Sequence, residues 1–155
     1  MVPPERKEPK PGHHWDIYLS YAHRDAATSA RELHDHLLRL KPDITVFLDA
    51  IALTLGVDWD SALKAALESA RLVAVLVSPA TEQAYYQREE VITAIDLARK
   101  NPDMRVIPIY LEERSYKSPP LGLRLKQSIS VDKVGGLETV ARELLACTKT
   151  PGRYM

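Results

Sequence analysis

The 155-residue chain has a single cysteine, Cys147, which excludes an internal disulfide and disfavours a cysteine metal site. No apolar run approaches the roughly 18 residues that span a bilayer. The N-terminus also lacks the apolar core of a signal peptide. The expected location is cytoplasmic, with no membrane contact. An excess of one charge is missing too. Lys+Arg and Asp+Glu both number 21, which argues against a domain built to bind nucleic acid by bulk electrostatics. There is no G-x-x-x-x-G-K-[ST] phosphate loop, and no G-x-G-x-x-G follows the first strand candidate. No serine is framed as G-x-S-x-G, so an esterase-type nucleophile is not expected. His34 and His36 stand two apart on a helix pattern and face different sides, so they do not share an ion. They read as a solvated helix face, and no metal is expected. His13 and His14 fall in a tail and read as inert.

What is present is a regular alternation of strand and helix patterns. Residues 1–14 are Pro- and charge-rich without periodicity and read as a flexible tail. "WDIYLS" at 15–20 is a strand candidate. Ala30, Leu33, Leu37 and Leu40 give a helix over 25–40, ended by Lys41-Pro42. "ITVFLD" at 44–49 is a second strand, followed by a loop through Gly56. Ala62, Ala66, Leu67 and Ala70 indicate a helix over 58–70. "RLVAVLVS" is the continuous β-branched run of a strand covered on both faces. A helix over 82–100 is stopped by Asn101-Pro102. "MRVIPIYLE" is a fourth strand, bent or near an edge at Pro108. "SISVD" is a short fifth strand. Gly135-Gly136 leads into a last helix with Leu137, Val140, Ala141, Leu144 and Leu145 on one side, and Cys147 near its end is a packing or surface residue. The alternation predicts an α/β domain over 15–147: a flavodoxin-like, doubly wound, five-stranded parallel sheet of order 2-1-3-4-5, with helices on both faces. Residues 148–155 read as a C-terminal linker or end segment, beyond which a sensor domain is an expectation.

"YYQREEVITAI" at 85–95 places two acids side by side on a helix. With each residue advancing about 100° and Val91 taken as the middle of the buried face, Glu89 falls about 160° away, in solvent. Glu90 falls about 100° away, on the flank, with Tyr86 one turn before it. Open parallel sheets bind ligands beyond the carboxyl ends of the strands where the order reverses, here between strands one and three. The segments 20–23 and 78–79 converge there, and the helix carrying Glu90 begins there. This leaves two readings of Glu90: a functional acid, or a boundary carboxylate in a local helix pair. Asp25 is equally suited to cap the first helix or to meet a ligand. A phospho-receiver would need acids at the ends of strands one and three, where Ser20 and Ser78 stand.

The segments "WDIYLSYAHRD", "VFLDAIALTLGVDWDSALKAAL", "ARLVAVLVSP", "YYQREEVITAI" and "VIPIYLE", in this order and spacing, resemble the TIR (Toll/interleukin-1 receptor-like) domain family over residues 15–147. Many TIR domains, in bacteria, in plants and in an axonal animal protein, cleave NAD+ at the nicotinamide–ribose bond. Their W-x-x-x-E pattern aligns with Tyr86 to Glu90, with Tyr86 in place of Trp. The resemblance implies Glu90 as the catalytic acid and NAD+ as a substrate rather than a resident cofactor. It implies Tyr86, Ser20, Tyr21, Asp49, His23 and Arg24 as substrate contacts. Leu53, Leu55, Gly56 and Trp59 fall in the so-called BB loop, through which TIR domains assemble with one another; Trp59 is expected to pack beneath it. The implied role is an NAD+ glycohydrolase giving nicotinamide and ADP-ribose or a cyclic isomer, activated by self-assembly in bacterial, antiphage immunity. A non-catalytic adaptor binding other TIR domains is the alternative.

Overall fold

The computed structural model describes residues 14–48, 59–112, 123 and 128–148, the side chains of 59–62, 82, 85 and 86 lying outside that description. In chain order the elements are β1 (Trp15–Ser20), α1 (His23–Leu40), β2 (Val46–Leu48), α2 (Trp59–Glu68), β3 (Ala70–Val77), a 3-10 turn (Thr81–Gln83), α3 (Tyr85–Lys100), β4 (Arg105–Tyr110), β5 (Ile129–Ser130), α4 (Val131–Val134) and α5 (Leu137–Thr148). The five strands form one sheet of order β2-β1-β3-β4-β5, and every pair is parallel. This is the doubly wound order expected from the sequence. From β1 the chain steps outward to β2 and then back across to β3, so the order reverses between β1 and β3.

The pleat sorts side chains into two core layers, because successive strand residues face opposite ways. Ile17 and Leu19 of β1, with Leu72, Ala74 and Leu76 of β3, pack on α1 and α5 through Leu33, Leu37, Val140 and Leu144. Tyr18 of β1, with Val73, Val75 and Val77 of β3, packs on α2 and α3 through Leu63, Leu67, Val91 and Ala94. The third strand is therefore covered on both faces, as its β-branched run requires.

Helix ends follow the local chemistry. Lys41 and Asn101, each preceding a proline, leave the helical region (φ −143°, ψ 90° and φ −126°, ψ 102°), as the clash with the proline ring dictates. Gly135 closes α4 at φ 101°, a left-handed conformation that favours glycine. Pro108 is tolerated in β4 because β5 pairs only with Ile109 and Tyr110, so at Pro108 β4 is still the edge on that side.

Four expectations are corrected. The helix foreseen over 82–100 is divided into a 3-10 turn and α3, separated at the extended Ala84 (φ −85°, ψ 102°). The "SISVD" strand shortens to Ile129–Ser130, and the chain turns helical at Val131. His34 is not on a solvated face. It is 2% exposed, because it stands four residues after Ala30 and four before Leu38 on the buried stripe of α1. Its Nδ1 meets Asp35 Oδ1 at 3.0 Å and its Nε2 has no partner. His14 is also engaged, its Nδ1 lying 2.9 Å from the Ser69 carbonyl.

Candidate functional site

The stripe that α3 turns toward the sheet is Gln87, Glu90, Val91 and Ala94, all buried. The spacing is helical, but the two residues nearest the helix start are polar. Their presence rotates the buried face about 50° from Val91 toward Glu90, at about 100° per residue. Glu90 is thus not a flank residue. It is 3% exposed and faces the underside of β1, whereas Glu89 is exposed.

Tyr18 and Ser20 occupy alternate positions of β1 and so share the face that meets α3. The Tyr18 hydroxyl donates to Glu90 Oε2, and Ser20 Oγ donates to Glu90 Oε1 at 3.0 Å. Both carboxylate oxygens are therefore satisfied by hydroxyls from one strand. Burial of a carboxylate without such donors costs several kcal/mol (about 2–7 even for a neutral polar group). The Tyr18 ring is fixed in turn: it stacks on Phe47 of β2 at 4.8 Å and 15°, and Phe47 meets the edge of Trp15 at 5.2 Å and 83°.

Gln87 works one turn earlier. β1 stops at Ser20 while β3 runs on to Val77, so ladder donors run out where the two strands part. The Gln87 Nε2 fills that gap, donating to the carbonyl of Leu76 at 2.9 Å and to the carbonyl of Ser20 at 3.2 Å. Gln87 is 1% exposed, and its Oε1 is buried without a partner.

Asp25 does not cap α1. Ala22 is the N-cap residue, and the Asp25 carboxylate reaches across the crevice instead. Its Oδ1 accepts from Ser78 Oγ at 2.6 Å and its Oδ2 from the Ala80 N–H at 3.0 Å. The Ser78 N–H in turn donates to Thr81 Oγ1 at 2.9 Å. These bonds tie the first turn of α1 to the connection between β3 and α3, across the point where the strand order reverses. Asp25→Ala leaves the Ser78 hydroxyl and the Ala80 N–H without this acceptor and is expected to destabilise the fold by about 1–3 kcal/mol, read from urea unfolding.

Of the residues singled out from sequence, the structure brings Ser20 and Glu90 together. Tyr21, the next residue along, turns into the opposite core layer and stacks on His23 at 4.6 Å and 12°. His23 and Arg24 are exposed in the first turn of α1, beyond the end of β1. Tyr86 lies in the first turn of α3 and Trp59 opens α2, their side chains outside the described residues. Asp49, Leu53, Leu55 and Gly56 lie outside the described residues altogether. Tyr18 and Gln87 were missed in the sequence. The signals available were Tyr18's place two residues before Ser20 on a strand, and Gln87's place three before Glu90 and four before Val91 on a helix. Among the described residues no group of three or more His, Cys, Asp or Glu could hold a metal ion, and no helix is long and apolar enough to cross a membrane.

A family model described as "TIR domain" matches residues 17–145. No curated protein matches the chain. Among solved structures it is similar to the TIR domains of the activated Roq1 resistosome that directly recognises the pathogen effector XopQ, with 20% identity, 86% of this chain and 71% of that one covered, and a TM-score of 0.58. It is similar to a metazoan TIR-STING receptor from C. gigas in complex with 2',3'-cGAMP, with 18% identity, 95% of this chain and 43% of that one, and a TM-score of 0.73. It thus spans less than half of that receptor chain. The TIR domain of the Toll-related receptor TRR-2 from Hydra magnipapillata gives 17% identity, 88% and 99% coverage, and a TM-score of 0.63.

Proposed function

The chain belongs to the TIR domain family, and on that premise we propose that it is an NAD+ glycohydrolase in which Glu90 carries the reaction. The observation that supports this most is a carboxylate at 3% exposure, held at both oxygens, next to the point where the strand order reverses.

The chemistry asks for one acid. An ordinary glycosidase uses two carboxyl groups because the sugar-alcohol leaving group must be protonated. Nicotinamide leaves from NAD+ as a neutral molecule, taking the electron pair of the C–N bond into an already cationic ring, so no proton is needed. What remains is an oxocarbenium-like ribose. The Glu90 anion stabilises that charge, and in a site poor in water the effect is large. A carboxylate offers about four acceptor positions. The β1 hydroxyls engage it from one side, and hydrogen bonds from the ribose hydroxyls to the same carboxylate would orient the ring. Attack by water, with loss of a proton, gives ADP-ribose; attack by an adenine nitrogen of the same molecule gives a cyclic isomer. Tyr86, standing where W-x-x-x-E has Trp, offers a ring to stack on the substrate. Ser20, His23, Arg24 and Asp49 are the remaining substrate contacts in this reading, with Tyr21 joining them only by leaving the opposite core layer.

At 3% exposure Glu90 meets a ribose only when the rim of the crevice rearranges. This favours a site completed when TIR domains assemble through the segment containing Leu53, Leu55, Gly56 and Trp59, in a cytoplasmic, immune signalling setting and under a sensor domain. The adaptor reading would use the same segment only to bind other TIR domains and needs no buried acid.

Nicotinamide release from NAD+ by concentrated or crowded protein separates the two. Turnover in the wild type and in Glu89→Ala, but not in Glu90→Ala, is the expected result. Equal turnover in all three, or none in the wild type, rejects the enzyme.

A further inference from the structure

An anion that is to face a sugar cation must stay ionised while almost out of reach of water. Burial favours the neutral acid, and hydrogen bonds that prefer the charged form oppose it. Glu90 has two such donors on β1, and they differ in kind. Ser20 Oγ rotates about one bond. The Tyr18 phenol is rigid: its side chain is 0% exposed, its ring is stacked on Phe47, and Tyr18 and Phe47 are register partners across β1 and β2. The sheet itself therefore fixes the direction from which Glu90 Oε2 receives its bond.

We propose that Tyr18 is a positioning residue whose hydroxyl holds Glu90 as an oriented anion. Its effect on turnover rests on the NAD-cleaving reading; its hold on the carboxylate does not. A phenylalanine would fill the same core space, so packing alone gives no reason for the hydroxyl. On α3 itself, the Gln87 Nε2 is committed to the carbonyls of Ser20 and Leu76, and Glu89 is turned to solvent. On α2, Lys64 and Glu68 lie outside, 3.9 Å apart and largely exposed. On β4, Tyr110 is the other phenol of the same core layer. The Tyr18 and Ser20 hydroxyls are the described donors to the carboxylate from β1.

The test uses the chain with carbon-13 at its glutamate carboxyls, the Glu90 resonance being assigned by its disappearance in Glu90→Gln. In Tyr18→Phe the pH midpoint of that resonance is expected to move upward while the thermal transition stays cooperative. In the same variant kcat for NAD+ falls about tenfold or more, the loss of a hydrogen bond to a charged group. KM changes less, and the acid limb of the kcat profile moves in the same direction as the resonance. 3-Fluorotyrosine placed at Tyr18 keeps the shape, strengthens the donor and moves the midpoint the opposite way, so the test survives if Tyr18→Phe does not fold. A Glu90 midpoint indifferent to the change at Tyr18 overturns the proposal. A carbon shift as expected in a chain without any NAD+ turnover supports the hold on Glu90 and sinks the NAD-cleaving reading alone.

Discussion

Glu90→Gln is expected to fold as the wild type does and, on the proposed reading, to retain about one hundredth or less of the NAD+ cleavage. The amide matches the carboxylate in shape. Its oxygen still accepts from Ser20 Oγ, and its nitrogen donates to the Tyr18 phenol oxygen, which reverses one bond without removing it. What disappears is the charge. Removing one preorganised group that stabilises transition-state charge costs about 10²–10³ in kcat, or about 2.7–4 kcal/mol. Glu89→Gln is the matched control, one residue away and exposed. Nicotinamide release gives the rate and circular dichroism the fold; a folded Glu90→Gln within threefold of the wild type contradicts the assignment.

The largest effect on stability is expected at Gln87. Gln87→Leu keeps the volume but removes the donor shared by the Ser20 and Leu76 carbonyls. A buried polar group left unmatched costs about 1–3 kcal/mol. Two such losses, offset by removal of the unpartnered Oε1, leave a net destabilisation of about 1–3 kcal/mol. Urea unfolding measures it, and a loss below about 0.5 kcal/mol would mean that the clasp carries no stability. Glu90 is three residues further on the same helix face, so on the proposed reading a loosened first turn of α3 is also expected to lower NAD+ turnover.

The fold was legible because its signals are local and repeated. The β-branched run of β3, the helical spacing of Leu33 and Leu37, and the prolines after Lys41 and Asn101 each act within a few residues. The usual order of open five-stranded parallel sheets then supplied the arrangement 2-1-3-4-5. The site was legible in part. Helical geometry separated Glu90 from Glu89, and strand geometry placed Ser20 near the crevice. The depth of Glu90 was not legible, since it depends on hydroxyls from a different element. The wheel centred on Val91 assumed that polar residues lie outside the core, and Gln87 and Glu90 are the two that do not. His34 misled for the same reason: a histidine in the polar run His34-Asp35-His36 reads as solvated until its spacing from Ala30 and Leu38 is given priority. Asp25 read equally as a cap or a ligand contact because its position in the first turn suits either, yet its partners lie more than fifty residues away in the chain.

The bonds from Tyr18 and Ser20 to Glu90 join residues 72 and 70 apart in the chain. During synthesis the hydroxyls leave the ribosome first and wait for their acid. A product interrupted before the third helix has no acid at all. A fragment begun after the first strand has an acid with neither hydroxyl. If NAD+ is the substrate, incomplete copies are thereby kept harmless to the cell that makes them, without any dedicated inhibitor.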